Sequence, residues 1–141
     1  MATSRLTFVD TNVLVYAHDR SEKARQPIAR ALLEELWATH TGALSTQVLQ
    51  EFYAVATRKF DPPMSARIAR QIVAVYTSWP VMQVDVPLIL DASELAERNT
   101  VSFWDALIVV AARRAGAVVL ATEDLQDGRR FGDVRISNPF A

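Results

Sequence analysis

Leu6-Thr7-Phe8-Val9-Asp10 is a strand-length run of β-favouring residues closed by a carboxylate, and Val118-Val119-Leu120-Ala121, with Asp124 just beyond it, repeats the arrangement near the other end of the chain. Short apolar runs that end in polar residues, separated by stretches of helical period, describe parallel strands covered on both faces by helices. The fold class read from them is α/β, a three-layer α/β/α sandwich around a central parallel sheet. Working outward, the expected strands are Leu6 to Asp10, Ala43 to Ser45, Val81 to Val84, Val118 to Ala121 and Val134 to Ile136, about five in all.

Helices fill the intervals. One is expected from just after Asp10 to about Ala17, capped by Asp10 or Thr11. Another spans about Glu22 to Thr39 with Ile28, Leu32, Leu33, Leu36 and Trp37 on one stripe, and Pro27 either kinks it or marks its true start. Thr46 is placed to cap a third, whose Val48, Leu49, Phe52, Tyr53 and Val55 share a buried face that Glu51 flanks. Pro62-Pro63 breaks the chain before a fourth, about Ser65 to Ser78, and Pro87 opens a fifth that runs to about Arg98. Ala106 to Ala112 is apolar on every side, which marks a sixth, central helix ending near Gly116. Glu123 to Asp133, with Gly128 and Gly132, reads as a surface loop.

Half of the 141 residues are hydrophobic, enough for one compact domain over residues 1–141 with a substantial core. Lys and Arg number 15 against 16 Asp and Glu, a net charge of -1, so no global field draws the chain toward nucleic acid. The absence of cysteine excludes disulfides, thiolate zinc sites and a cysteine nucleophile, and it fits a cytoplasmic protein. Met1 to Ala17 does not read as a signal peptide, because Asp10 and Asn12 interrupt its apolar residues. No run approaches the roughly 18 apolar residues that a membrane helix needs.

In an open parallel sheet the ligand cleft lies beyond the carboxyl ends of the strands, where the strand order reverses. Asp10 and Asp124 follow strands at that edge, while Glu51 and Asp105 lie near the starts of helices that open there. These four acids form the candidate site. Like charges packed together raise one another's pKa unless a cation neutralises them. An all-oxygen set suits Mg²⁺ or Mn²⁺, held by one or two carboxylates together with phosphate oxygens of a substrate. The chemistry that follows is phosphodiester hydrolysis by a metal-activated water.

Each acid also has a plainer reading. Asp10 fits an N-cap, Asp105 the last position of the capping box Ser102-Phe103-Trp104-Asp105, and Glu51 a solvated helix acid. Asp124 shares its loop with Glu123, Asp127 and Asp133, so Glu123 or Asp127 competes for the place of fourth ligand. Jointly these readings lose force, since chance does not readily put one acid on each of four elements meeting at one sheet edge. His18 and His40 lie in polar surroundings and are read as non-catalytic. Arg58, Lys59, Arg113, Arg114, Arg129 and Arg130 are either phosphate contacts or solvated charge. Thr11, Asn12, Thr46 and Thr122 are placed to orient the acids or, equally, to cap helices and form turns.

The chain resembles the PIN-domain family, and within it the VapC-type toxins of toxin-antitoxin pairs. The resemblance is carried by Phe8-Val9-Asp10-Thr11-Asn12-Val13-Leu14-Val15-Tyr16-Ala17, Ser45-Thr46-Gln47-Val48-Leu49-Gln50-Glu51-Phe52, Ser102-Phe103-Trp104-Asp105-Ala106-Leu107-Ile108, Leu120-Ala121-Thr122-Glu123-Asp124-Leu125 and Asn138-Pro139-Phe140, in the family's order along the whole chain. It implies a Rossmann-like PIN fold and a Mg²⁺-dependent endoribonuclease site acting on single-stranded RNA. Asp10, Glu51, Asp105 and Asp124 match the family's four acids, with Asp10 and Asp105 as the direct metal ligands and Asp127 as the alternative to Asp124. Thr122 or Asn12 would support them. A small VapB-like antitoxin that blocks the cleft, and a homodimer, are implied in the same way.

Two other readings compete. In a haloacid-dehalogenase-like phosphatase an Asp after the first strand attacks phosphate covalently, and a second acid is wanted two residues on, where this chain has Asn12. A non-catalytic PIN-like binding module would be expected to lack one or more of the acids, and all four are present. The four glycines form neither G-x-G-x-x-G nor a P-loop, so nucleotide binding has no motif support.

Overall fold

The computed structural model describes residues 5–141, so the first four residues of the stretch read for a targeting signal lie outside it. Six strands form one sheet: β1 (Leu6–Val9), β2 (Gly42–Ser45), β3 (Val81–Met82), β4 (Ala117–Ala121), β5 (Arg130–Phe131) and β6 (Val134–Ser137), in the order β3-β2-β1-β4-β6-β5. All neighbouring pairs are parallel except β5 with β6. Six helices accompany them: α1 (Thr11–His18), α2 (Arg25–Thr39), α3 (Thr46–Arg58), α4 (Ala66–Val75), α5 (Val86–Asn99) and α6 (Phe103–Arg114).

The layers follow from the strand order. From β1 the chain steps outward to β2 and then β3, and it returns past β1 to reach β4. Right-handed crossovers therefore put α1 to α4 on one face and α5 with α6 on the other. Packing agrees, since α1 meets α2 and α3, α3 meets α4, and α5 lies on α6, which itself runs along β2, β4 and β6. The strand order reverses between β1 and β4, the two central strands that carry Asp10 and Asp124 at or beyond their carboxyl ends.

Local sequence explains most of the elements. Asp10 caps α1 through Thr11 N at 2.7 Å, Ser65 caps α4, Asp85 caps α5 and Ser102 caps α6. Every residue from Ala106 to Ala112 is buried, which makes α6 the central helix of the fold. Among the described residues no helix is long and apolar enough to cross a membrane. Gly42 is required by packing, because a Cβ there would stand 2.5 Å from the Trp79 ring, and Trp79 closes an aromatic cluster with Trp37 and Tyr76.

Several boundaries differ from the sequence expectation. The sheet gains a sixth strand, β5, inside the segment read as a loop; Gly132 at φ 62 turns Phe131 back onto Val134 in a hairpin too short to show periodicity. The cap of α3 is Ser45, not Thr46, whose hydroxyl instead accepts from Val84 N at 3.2 Å. α2 begins at Arg25, with Pro27 in its first turn, and it buries Ala29, Leu33 and Leu36 while leaving Ile28 exposed. Tyr53 is likewise exposed on α3, where Ala56 and Gln47 take the buried face. The fourth helix stops at Val75 and tightens into a 3₁₀ turn, Tyr76–Ser78.

Candidate active site

Asp10 lies on the first residue after β1, and its backbone N–H still bonds Ala121 O on β4 at 3.0 Å, so main-chain pairing fixes its position. The residue is only 5% exposed. One oxygen accepts from Thr11 N and the other from the Thr122 hydroxyl at 2.8 Å. Burial pushes its pKa up from 3.8 to about 7; the Thr122 and Thr11 hydrogen bonds oppose this, and the charges of Asp124 and Glu51 add to it. Thus Asp10 is a cap and a buried charge at once, and the capping reading does not exhaust it.

Thr122, fully buried just after β4, is the hub. Besides donating to Asp10, its hydroxyl oxygen accepts from Asn12 Nδ2 at 3.3 Å and from Asp124 N at 3.0 Å. Asn12 also donates to Asp124 Oδ2 at 2.9 Å. The Asp124 carboxyl is held above its usual range by desolvation, against the Asn12 hydrogen bond and with the charges of Asp105 and Glu123. Glu51, exposed on α3, accepts from the Thr11 hydroxyl at 2.8 Å. Asp105 stands in the first turn of α6, where Ser102 Oγ accepts its N–H at 3.0 Å. The capping box is only half made: among the described residues the Asp105 side chain accepts no hydrogen bond, which leaves that carboxylate free.

The other loop acids have separate duties. Asp127 Oδ1 accepts from Asn138 N at 2.9 Å and ties the loop to the C-terminal segment. Glu123 is gripped by the Tyr16 hydroxyl and by Arg25 Nε at 3.4 Å, and Arg25 also lies over the Tyr16 ring. Desolvation and that hydrogen bond push the Tyr16 phenol up to about 12. This clamp, which holds the residue next to Asp124, escaped the sequence reading although Tyr16 lies only four residues beyond Asn12. His18 packs edge-on against Phe52 at 5.4 Å, and burial, with the nearby charge of Arg30, lowers its pKa. His40 serves as the left-handed residue ending α2. Of the candidate cations, Arg114 pairs with Asp85 and Asp91, and Arg129 donates to Asn99 O.

Does this donor set fit a divalent ion? Among the described residues no three His, Asp or Glu side chains form a ready-made cage. Mg²⁺ does not need one, since it keeps several waters and uses one or two carboxylates. The set is all oxygen, Asp10 and Asp124 are disfavoured as anions in the absence of a cation, and the buried Asn12 Oδ1 has no donor partner. A hydrated hard cation would favour the anionic forms of the two raised carboxyls.

The PIN domain family model matches residues 7–132, and the chain belongs to that family. Among solved structures it is similar to VapC20 of Mycobacterium tuberculosis, described as a toxin that cleaves the sarcin-ricin loop, at 25% identity and TM-score 0.65 over 92% of this chain and 98% of that one. VapBC of Salmonella typhimurium bound to DNA follows at 20% identity and TM-score 0.65, covering 96% of this chain and 98% of that one. A toxin-antitoxin complex from Klebsiella pneumoniae gives 16% identity and TM-score 0.66 over 94% and 97%. At the two lower identities the likeness is one of fold. No curated protein sequence matches the chain.

Proposed function

We propose that the protein is a Mg²⁺-dependent endoribonuclease, with Mn²⁺ able to substitute, and the toxin of a type II toxin-antitoxin pair. The observation that carries the reading is the hydrogen-bonded set Asp10, Thr122, Asn12 and Asp124 at the reversal of strand order, with Glu51 and Asp105 beside it. Asp10 and Asp105 would hold the ion. When bound, Mg²⁺ supplies Lewis-acid polarisation of the scissile phosphate and a water of lowered pKa.

The chain's own groups do the rest. Thr122 fixes the Asp10 carboxylate by its hydroxyl and keeps Asp124 turned toward Asn12, so two acids are oriented before substrate arrives. Glu51, positioned by Thr11, and Asp124 are the bases nearest to hand for orienting an attacking water and taking its proton. Water attack leaves no covalent adduct, and Asn12, spent on Thr122 and Asp124, is not an acid that a covalent phosphatase would use.

The toxin-antitoxin complexes among its structural neighbours support an antitoxin partner, and a homodimer and a cytoplasmic site of action are parts of the same proposal. The test is direct. Purified protein should cut single-stranded RNA with Mg²⁺ or Mn²⁺, stop on addition of EDTA, and leave 5′ phosphates. Products ending in 2′,3′-cyclic phosphate, or cutting that persists in EDTA, would refute the metal-water reading.

A further inference from the structure

Trp104 is 65% exposed, whereas Trp79 is buried and Trp37 packs with it and Tyr76 in the aromatic cluster. Among the described residues its one aromatic neighbour is Phe103, which meets it at 67° with centroids 5.5 Å apart and so does not stack on it. An indole in water is a large apolar surface left uncovered, and its polar edge suits it to partly wet contacts. The backbone beneath is firmly held. Trp104 is the second residue of α6, inside the turn that Ser102 caps, and buried Gln47 of α3 donates to its carbonyl at a long 3.5 Å. The next residue is Asp105.

We propose that the Trp104 indole is a stacking platform for an unpaired nucleobase of single-stranded RNA, seating the strand beside the acids. The inference rests on the nuclease reading and deepens it. Charge argues for such a device. The net charge is -1 and the site itself is acidic, while Arg25 is engaged by Glu22 and Glu123 and Arg114 by Asp85 and Asp91. Net charge alone gives a polyanion little attraction under those conditions. Stacking on an aromatic ring works for any base and needs no positive charge. It also selects single strands, because bases in a duplex already have both faces covered.

Trp104→Ala should raise both KM and the dissociation constant for a short single-stranded oligoribonucleotide about 5- to 150-fold, the range one base-aromatic stack carries, and Trp104→Phe should recover most of the loss. Leu90→Ala, a similarly exposed apolar site on α5, should leave both constants at their wild-type values. In EDTA, titration of the intact protein with that oligoribonucleotide should quench tryptophan fluorescence, and neither its duplex nor an abasic strand of equal charge should do so. An alanine variant within twofold of wild type in KM and dissociation constant overturns the proposal. So does equal quenching by the abasic strand, or a defect confined to binding a partner protein. Base-dependent quenching without any RNA cleavage would instead sink the nuclease reading and leave the platform standing.

Discussion

The sheet-borne half of the acid group and the helix-borne half are held in different ways. Asp10 and Asp124, which follow β1 and β4, are joined through Thr122 and Asn12 by hydrogen bonds spanning 112 residues of sequence. Glu51 and Asp105 sit on the first two turns of helices, one of them exposed and held by a single hydroxyl, the other accepting no hydrogen bond among the described residues. Strand pairing explains the contrast, since Val9 and Ala121 are register partners and whatever follows them is delivered to one point. Helix starts have no such ladder and set only the neighbourhood. The sheet half is therefore preorganised, and in the proposed reaction the helix half would settle only when cation and substrate bind.

The largest expected effect tests whether both halves serve one reaction. Asp10→Asn and Asp105→Asn should each lower the rate of RNA cleavage by several orders of magnitude while circular dichroism stays that of the folded domain. An Asp105→Asn variant that cuts at the normal rate would remove the helix half from the site.

Next comes the cost of holding the sheet half ready. Asp10 has a folded pKa of about 7 against 3.8, so the folded state binds more protons than the unfolded one between those values. Metal-free stability should therefore fall as pH rises from about 4 to 7, by an amount that integrates to about 4 kcal/mol from Asp10 alone. Asp124, also raised, adds to the fall, and His18, lowered by burial, works against it below its unfolded pKa of 6.5. Subtracting the denaturation profile of Asp10→Asn isolates the Asp10 part. A flat difference between pH 4 and pH 8 would show that its carboxylate is better solvated than the geometry indicates.

The same contrast governs what could be read from sequence. The strands β1, β2, β4 and β6 are short apolar runs between polar stops, and the all-apolar Ala106 to Ala112 announced a central helix. The placement of Asp10 and Asp124 followed from their position after strands. What did not show was side-chain wiring: Thr122 as a hub, Asn12 bridging, and Glu123 withdrawn into the clamp with Tyr16 and Arg25. Hydrogen bonds between residues so far apart leave no periodic trace. Neither does a two-residue strand such as β5, nor the choice of Ser45 over its neighbour Thr46 as a cap, which turns on one extended backbone conformation at φ -129.

Thr122→Val keeps the shape of the hub and deletes its hydroxyl, which releases Asp10 Oδ2, Asn12 and the Asp124 N–H together. Removing a group that orients metal-binding ligands characteristically costs 10- to 100-fold, so activity should fall by about that much, with a matching rise in the Mg²⁺ concentration needed for half-maximal rate. A loss below about threefold would mean that pairing of β1 with β4 orients Asp10 without help.

The smallest effect is expected from the equivalent change in the helix half. Thr11→Val removes the one hydroxyl that holds Glu51, an exposed carboxylate whose hydrogen bond competes with water and contributes only about 0.5–1.5 kcal/mol. Activity should drop by about 2- to 10-fold, the same energy expressed as a rate, and the Mg²⁺ requirement should move less than in Thr122→Val. Measuring both variants across a Mg²⁺ series compares the halves under one readout. If Thr11→Val proves the more damaging, Glu51 is as tightly preorganised as Asp10, and the division into a fixed sheet half and an adaptable helix half has to be abandoned.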